Sequence, residues 1–118
     1  MSKASFKELL VWQRGVELAQ ELYRSTSKLP STEVFGLKSQ MCRAAVSIPS
    51  NIAEGQKRGT KKDFAQFLRI AYGSSAELET QILITENVYP DIDFSKPKAL
   101  LEEIQKMLPS LISKITNN

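Results

Sequence analysis

Histidine is absent from this chain, and Cys42 is its only cysteine. Without histidine, a nucleophile activated by a Ser–His or Cys–His pair is excluded. One cysteine cannot close a disulfide within the chain, and the usual Cys/His set for zinc is missing. No apolar run approaches the roughly 18–20 residues of a membrane span. The opening stretch MSKASFKELLVWQ mixes acidic and basic residues and lacks the apolar centre of a signal peptide. A soluble cytoplasmic protein with no membrane partner is therefore expected. A phosphate loop is also lacking, since GQKRGTKK does not have the required glycine–lysine spacing. Glu77 and Glu79 are two positions apart and point to different helix faces, so they make no natural carboxylate pair. Glu54 reads as a salt-bridge partner for a basic neighbour. The expectation is a non-enzyme with no catalytic residue, no metal ligand and no cofactor.

What is present is helical periodicity. The 118 residues suit one domain, spanning 1–118, with 42% hydrophobic residues to fill its core. Leu9, Trp12, Val16, Ala19 and Tyr23 recur at steps of three and four, as do Phe64, Leu68, Ala71, Ser75, Leu78, Ile82, Thr85 and Tyr89. Leu101, Ile104, Leu108, Leu111 and Ile115 repeat the pattern, and Leu37, Met41, Ala44, Ile48 and Ile52 do so less regularly. This period fits amphipathic helices and fits strands nowhere. Leu29-Pro30-Ser31 ends the first helix. Gly55 suits a left-handed cap of the second, and Thr60 with Asp63 suits the start of the third. Tyr89-Pro90-Asp91 closes the third helix, and Ser95 with Pro97 opens the fourth. The spacing predicts helices near 6–28, 36–54, 61–89 and 95–116, joined by short connections into an all-α, antiparallel up-down-up-down four-helix bundle.

The helices also carry apolar residues away from these seams. Val11, Gly15, Leu18 and Leu22 form a second stripe on the first helix, Val46 lies off the seam of the second, and Ile70, Ile84 and Val88 off that of the third. A four-helix monomer has no use for apolar stripes on both sides, so self-association is expected. Its interface would include Val11, Leu18, Leu22, Val46, Ile70 and Ile84.

Pro49 interrupts the second helix, and an interior proline costs about 3 kcal/mol. Ile52 and Ala53 nevertheless continue the apolar pattern beyond it. A kink within a continuing helix is expected, with Ser47, Ser50 and Asn51 serving the freed backbone groups. Pro109 poses the same problem in the fourth helix. Charge is uneven along the chain. Residues 35–72 carry seven Lys/Arg against two Asp/Glu, or +5; residues 73–118 carry four against seven, or −3; residues 1–34 carry five against four, or +1. Lys57, Arg58, Lys61 and Lys62 crowd one turn. Two of them stand at a helix N-terminus, where cations oppose the helix dipole and an anion is favoured. With Arg43 and Arg69 they form the candidate surface for nucleic-acid phosphates.

The stretches VWQRGVELAQELY, FGLKSQMCRAAVSIPSNIAEG and KKDFAQFLRIAYGSSAELETQ closely resemble the 23S rRNA intervening-sequence proteins. That family is related to the accessory variability protein of diversity-generating retroelements. The likeness covers residues 9 to about 86. It implies a four-helix bundle assembled as a homopentamer. For the retroelement branch it also implies a basic surface for RNA or DNA and a reverse transcriptase as partner. Arg43, Arg58, Lys61 and Lys62 match the family's basic positions, whereas Tyr72 and Cys42 depart from it by removing positive charge. Two functions follow as expectations: a homo-oligomeric bundle binding RNA or other nucleic acid, and a protein–protein scaffold or adaptor ring that binds none.

Overall fold

The computed structural model describes residues 5–117. Four helices form where the period of the apolar residues places them: α1 (Leu10–Thr26), α2 (Leu37–Lys57), α3 (Lys61–Val88) and α4 (Ser95–Thr116). Short 3-10 turns at Phe6–Glu8 and Ser31–Glu33 precede α1 and α2, and the described residues contain no strand. The chain departs from a single helix over 6–28 because Leu9 is extended, which separates the first turn from α1. Phe6 then folds back edge-to-face onto Trp12, ring centroids 5.3 Å apart. The molecule measures 49 × 20 × 19 Å, close to the length of its longest helix. Each helix touches two others: α1 meets α2 and α4, α3 meets α2 and α4, and neither diagonal pair is in contact. The four axes therefore occupy the corners of a square around one core, filled by Leu18, Leu22, Ile48, Ile52, Leu68, Leu78, Ile104 and Leu108. Phe94, from the connection before α4, closes one end of it.

On α1 the two apolar stripes have the opposite roles to those expected. Val11, Leu18 and Leu22 are buried in the chain's own core, whereas Leu9, Trp12, Val16 and Ala19 are only half-buried and Tyr23 is exposed. Val11, Leu18 and Leu22 are thus not available to a second copy, and their assignment to an interface is corrected. Gly15 supplies the physical reason. A Cβ there would stand 3.2 Å from Pro49 Cβ, so the absent side chain lets α2 approach α1 along the Val11–Leu22 stripe.

α2 runs through Pro49 to Lys57, as its apolar residues beyond the proline require. Ser47 donates to the Ala44 carbonyl (2.7 Å) and Asn51 to the Ser47 carbonyl (2.7 Å), whereas the carbonyl that Pro49 leaves without its helical donor is that of Ala45, so neither bond serves the freed group as expected. α4 likewise continues past Pro109 to Thr116. Gly55 is not the cap of α2. It is buried within the helix, where a Cβ would fall 2.5 Å from Phe67 Cβ on α3. The left-handed glycine is Gly59, with φ of 90°. Thr60 caps α3 as expected, its hydroxyl accepting from Asp63 N–H (3.1 Å). Asp93 performs a similar task for α4, accepting from Ser95 N–H (2.9 Å), and that bond holds its carboxyl below the ordinary range. The connection before α2 is tied to the end of α3 by Tyr89, whose phenol donates to Glu33 at 2.6 Å.

Candidate nucleic-acid interface

The helix-to-helix connection from Lys57 to Lys61 brings the C-terminus of α2 beside the N-terminus of α3 at one end of the molecule. Lys57, Arg58, Lys61 and Lys62 are all exposed there. Gly59 makes the reversal possible, since its φ of 90° lies in the left-handed region that side chains other than glycine disfavour. The four cations are not equivalent. Arg58 is held: its Nη2 pairs with Glu54 Oε2 at 2.8 Å, and its guanidinium lies over the Phe67 ring, 4.9 Å from the centroid. Among the described residues, Lys57, Lys61 and Lys62 have no carboxylate partner. Lys57 is well placed against the negative end of the α2 dipole. Lys61 and Lys62, at the positive end of α3, are not, and Asp63 on the same turn offsets only one of them. The turn thus keeps three free ammonium groups around one anchored guanidinium.

Arg69 is also exposed, seven residues beyond Lys62 on α3, or about 10 Å at the helical rise. Arg43 stands apart. It precedes Lys57 by fourteen residues on α2, or about 21 Å, and belongs to a different neighbourhood. There it lines a cleft between α1 and α2 with Lys38, Tyr23 and Phe35. The six basic residues grouped from the sequence therefore divide into a turn, an outlying Arg69 and a separate Arg43. Lys38 and Phe35 were not among the candidates. Phe35 stands next to Gly36 just before α2, a position that reads in sequence as a helix entry rather than a surface.

Of the apolar interface candidates, Val46, Ile70 and Ile84 are 42–47% exposed. Val88 and Leu83 extend the exposed apolar surface of α3. No group of three or more Cys, Asp or Glu side chains among the described residues is placed to hold a metal ion. No helix among them is long and apolar enough to cross a membrane.

Four helices around a single core, with a cationic turn at one end, define a small all-α protein whose distinguishing chemistry lies on its surface. The family model of the 23S rRNA-intervening sequence protein matches residues 7–110, and the chain belongs to that family. Its fold is that of a protein of unknown function from the S23 ribosomal protein family of Bacteroides thetaiotaomicron, known from a crystal structure. The two align with a TM-score of 0.73 at 24% identity, over 87% of this chain and 98% of that one. No curated protein matches the chain.

Proposed function

We propose that this protein is a non-enzymatic, self-associating helical bundle that holds RNA or other nucleic acid through phosphate contacts at the α2–α3 turn. The observation that carries the reading is the set of three exposed lysines, Lys57, Lys61 and Lys62, left without carboxylate partners around an anchored Arg58. An unpaired cation at a helix N-terminus destabilises the free protein slightly and is relieved by an anion. Arg69 extends the surface along α3. No aromatic side chain stands free within the turn, because Phe67 lies beneath Arg58, so the contacts are with phosphate and carry little base specificity. Repetition of the turn around a homo-oligomer, a pentamer on the family likeness, multiplies these contacts. Several residue pairs support an antiparallel up-down-up-down order: Gly15 with Pro49, Met41 with Thr85, Glu86 with Lys98 and Arg14 with Glu103. In that order the three connections lie at the two ends, where a ring leaves them open.

Binding of duplex RNA and duplex DNA measured across a salt series tests this reading. Log affinity falls linearly with log salt if phosphates are contacted. No binding at about 50 mM salt rejects the proposal, as does a slope unchanged by serine at the four turn positions. A second reading, a ring that docks another protein such as a reverse transcriptase, is favoured by the exposed Ile70, Ile84 and Val88 on α3. A partner recovered at high salt and after nuclease treatment supports it. The absence of histidine from the sequence supports the non-enzymatic reading.

A further inference from the structure

Two clefts lie on opposite edges of the square, away from the basic turn. The first, between α1 and α2, carries the most exposed apolar side chain among the described residues: Phe35, at 96%. Val34, Tyr23 and Val46 surround it, each more than two-fifths exposed. Lys38 and Arg43 line the same cleft with no carboxylate among its walls, a charge of +2. Neither has an ion-pair partner among the described residues. The second cleft, between α3 and α4, has Ile82 and the exposed Leu83 among its apolar walls. Glu79, Glu86 and Glu102 stand against Lys98 in its wall and against Lys106, which pairs with Glu102 at 3.5 Å, so three negative charges less two positive leave −1. Glu86 is paired with Lys98 (3.0 Å), but Glu79 is met only by the neutral amide of Gln105 (3.0 Å).

We infer that the apolar, cationic edge carrying Phe35 docks into the apolar, anionic α3–α4 cleft of a second copy of this chain. The inference rests on the self-association proposed above and names the surfaces that perform it. The two edges match in the character that decides docking. Each offers an apolar centre, and their charges are opposite in sign. Like edges would place Lys38 and Arg43 against themselves, or glutamates against glutamates, so pairing of identical edges is disfavoured. A contact between two different surfaces is heterologous. Each added copy then presents a fresh edge of each kind, so copies add head to tail, and a ring forms when the rotation between them closes. Docking covers Arg43, which accordingly belongs to the interface rather than to the nucleic-acid surface. The turn from Lys57 to Lys62 lies at an end of the molecule, outside both clefts, and stays open in the assembly.

Two exposed positions test this without disturbing the core: Phe35→Asp on the projecting edge and Leu83→Asp in the cleft, with helicity checked by circular dichroism. Molar mass is read by light scattering and sedimentation at matched micromolar concentrations. The wild-type chain is expected above its 13.2 kDa monomer mass, and each variant alone at the monomer mass, with association weakened at least tenfold. An equimolar mixture of the two is expected to give a 1:1 heterodimer and nothing larger, because one intact edge meets one intact cleft. Lys38→Glu with Arg43→Glu should also dissociate the assembly, and adding Glu79→Lys with Glu86→Lys should restore it. A monomeric wild-type chain overturns the inference. So does either aspartate variant assembling as wild type, or a mixture that stays monomeric. Duplex RNA binding by the same variants is read separately. Its loss in wild type rejects the nucleic-acid reading without touching the docking surfaces, and its retention in monomeric variants leaves the turn intact.

Discussion

Gly55 and Gly73 look alike in sequence, two glycines inside helical patterns, yet their surroundings differ completely. A Cβ at Gly55 meets Phe67 Cβ at 2.5 Å, near the root of a side chain that cannot swing away, whereas a Cβ at Gly73 meets nothing within 4 Å. Gly55→Ala is therefore expected to destabilise the protein by about 1–3 kcal/mol through overpacking, more than the helix-propensity gain returns. Gly73→Ala is expected to stabilise it by roughly 1 kcal/mol, since only backbone entropy changes. Denaturant midpoints of the two variants check both signs. Tyr89 offers a second test. Its hydrogen bond to Glu33, and secondarily its burial, raise the phenol's pKa above the ordinary 10.0. A raised folded pKa means that the contribution to stability is fully present below the ordinary value. It is lost as the pH rises through the folded one. Tyr89 should ionise late in an ultraviolet titration of the native protein, and Tyr89→Phe should remove that late transition. It should also flatten the alkaline fall in stability.

At the scale of the helix, α3 and α4 were legible almost to the residue, because Thr60, Tyr89-Pro90 and Ser95 punctuate long, regular periods. α2 was legible through its proline, because Ile52 lies beyond it on the core side. Its end was less so: Gly55 resembles a cap in sequence, and only its contact with Phe67 reveals that a close approach, not a left-handed turn, requires it. α1 was the least legible. Two apolar stripes satisfy the same period, and the choice between them depends on which helix Gly15 admits, a tertiary fact. Leu18→Ala is accordingly expected to cost about 2–5 kcal/mol of stability, as a core truncation, and not to act through association. Thermal melts at two protein concentrations separate those outcomes: the loss should be the same at both. Thr60→Ala should cost about 1 kcal/mol by removing the cap of α3.

Across the whole molecule, charge and apolar surface are sorted into distinct places. The central excess of cations was visible in the sequence, and so was the turn that concentrates four of them. Their division was not, since Arg43 and Lys57 are close in the running charge and about 21 Å apart along α2. The apolar, cationic edge was also hidden, because Phe35 next to Gly36 gives no sign in sequence that its ring stands almost fully in solvent. The fold leaves the cationic turn at an end of the bundle and the two clefts on its sides, so the proposed assembly and the proposed phosphate binding use different surfaces.

The salt dependence of duplex RNA binding by the intact protein and by a Lys57→Ser, Lys61→Ser, Lys62→Ser variant tests the proposed function most directly. Three free ammonium groups lost per chain should lower the slope of log affinity against log salt by about 2–3 for each turn engaged, with the helical content unchanged. A slope identical in the two proteins, or no binding by the intact protein at about 50 mM salt, would contradict it.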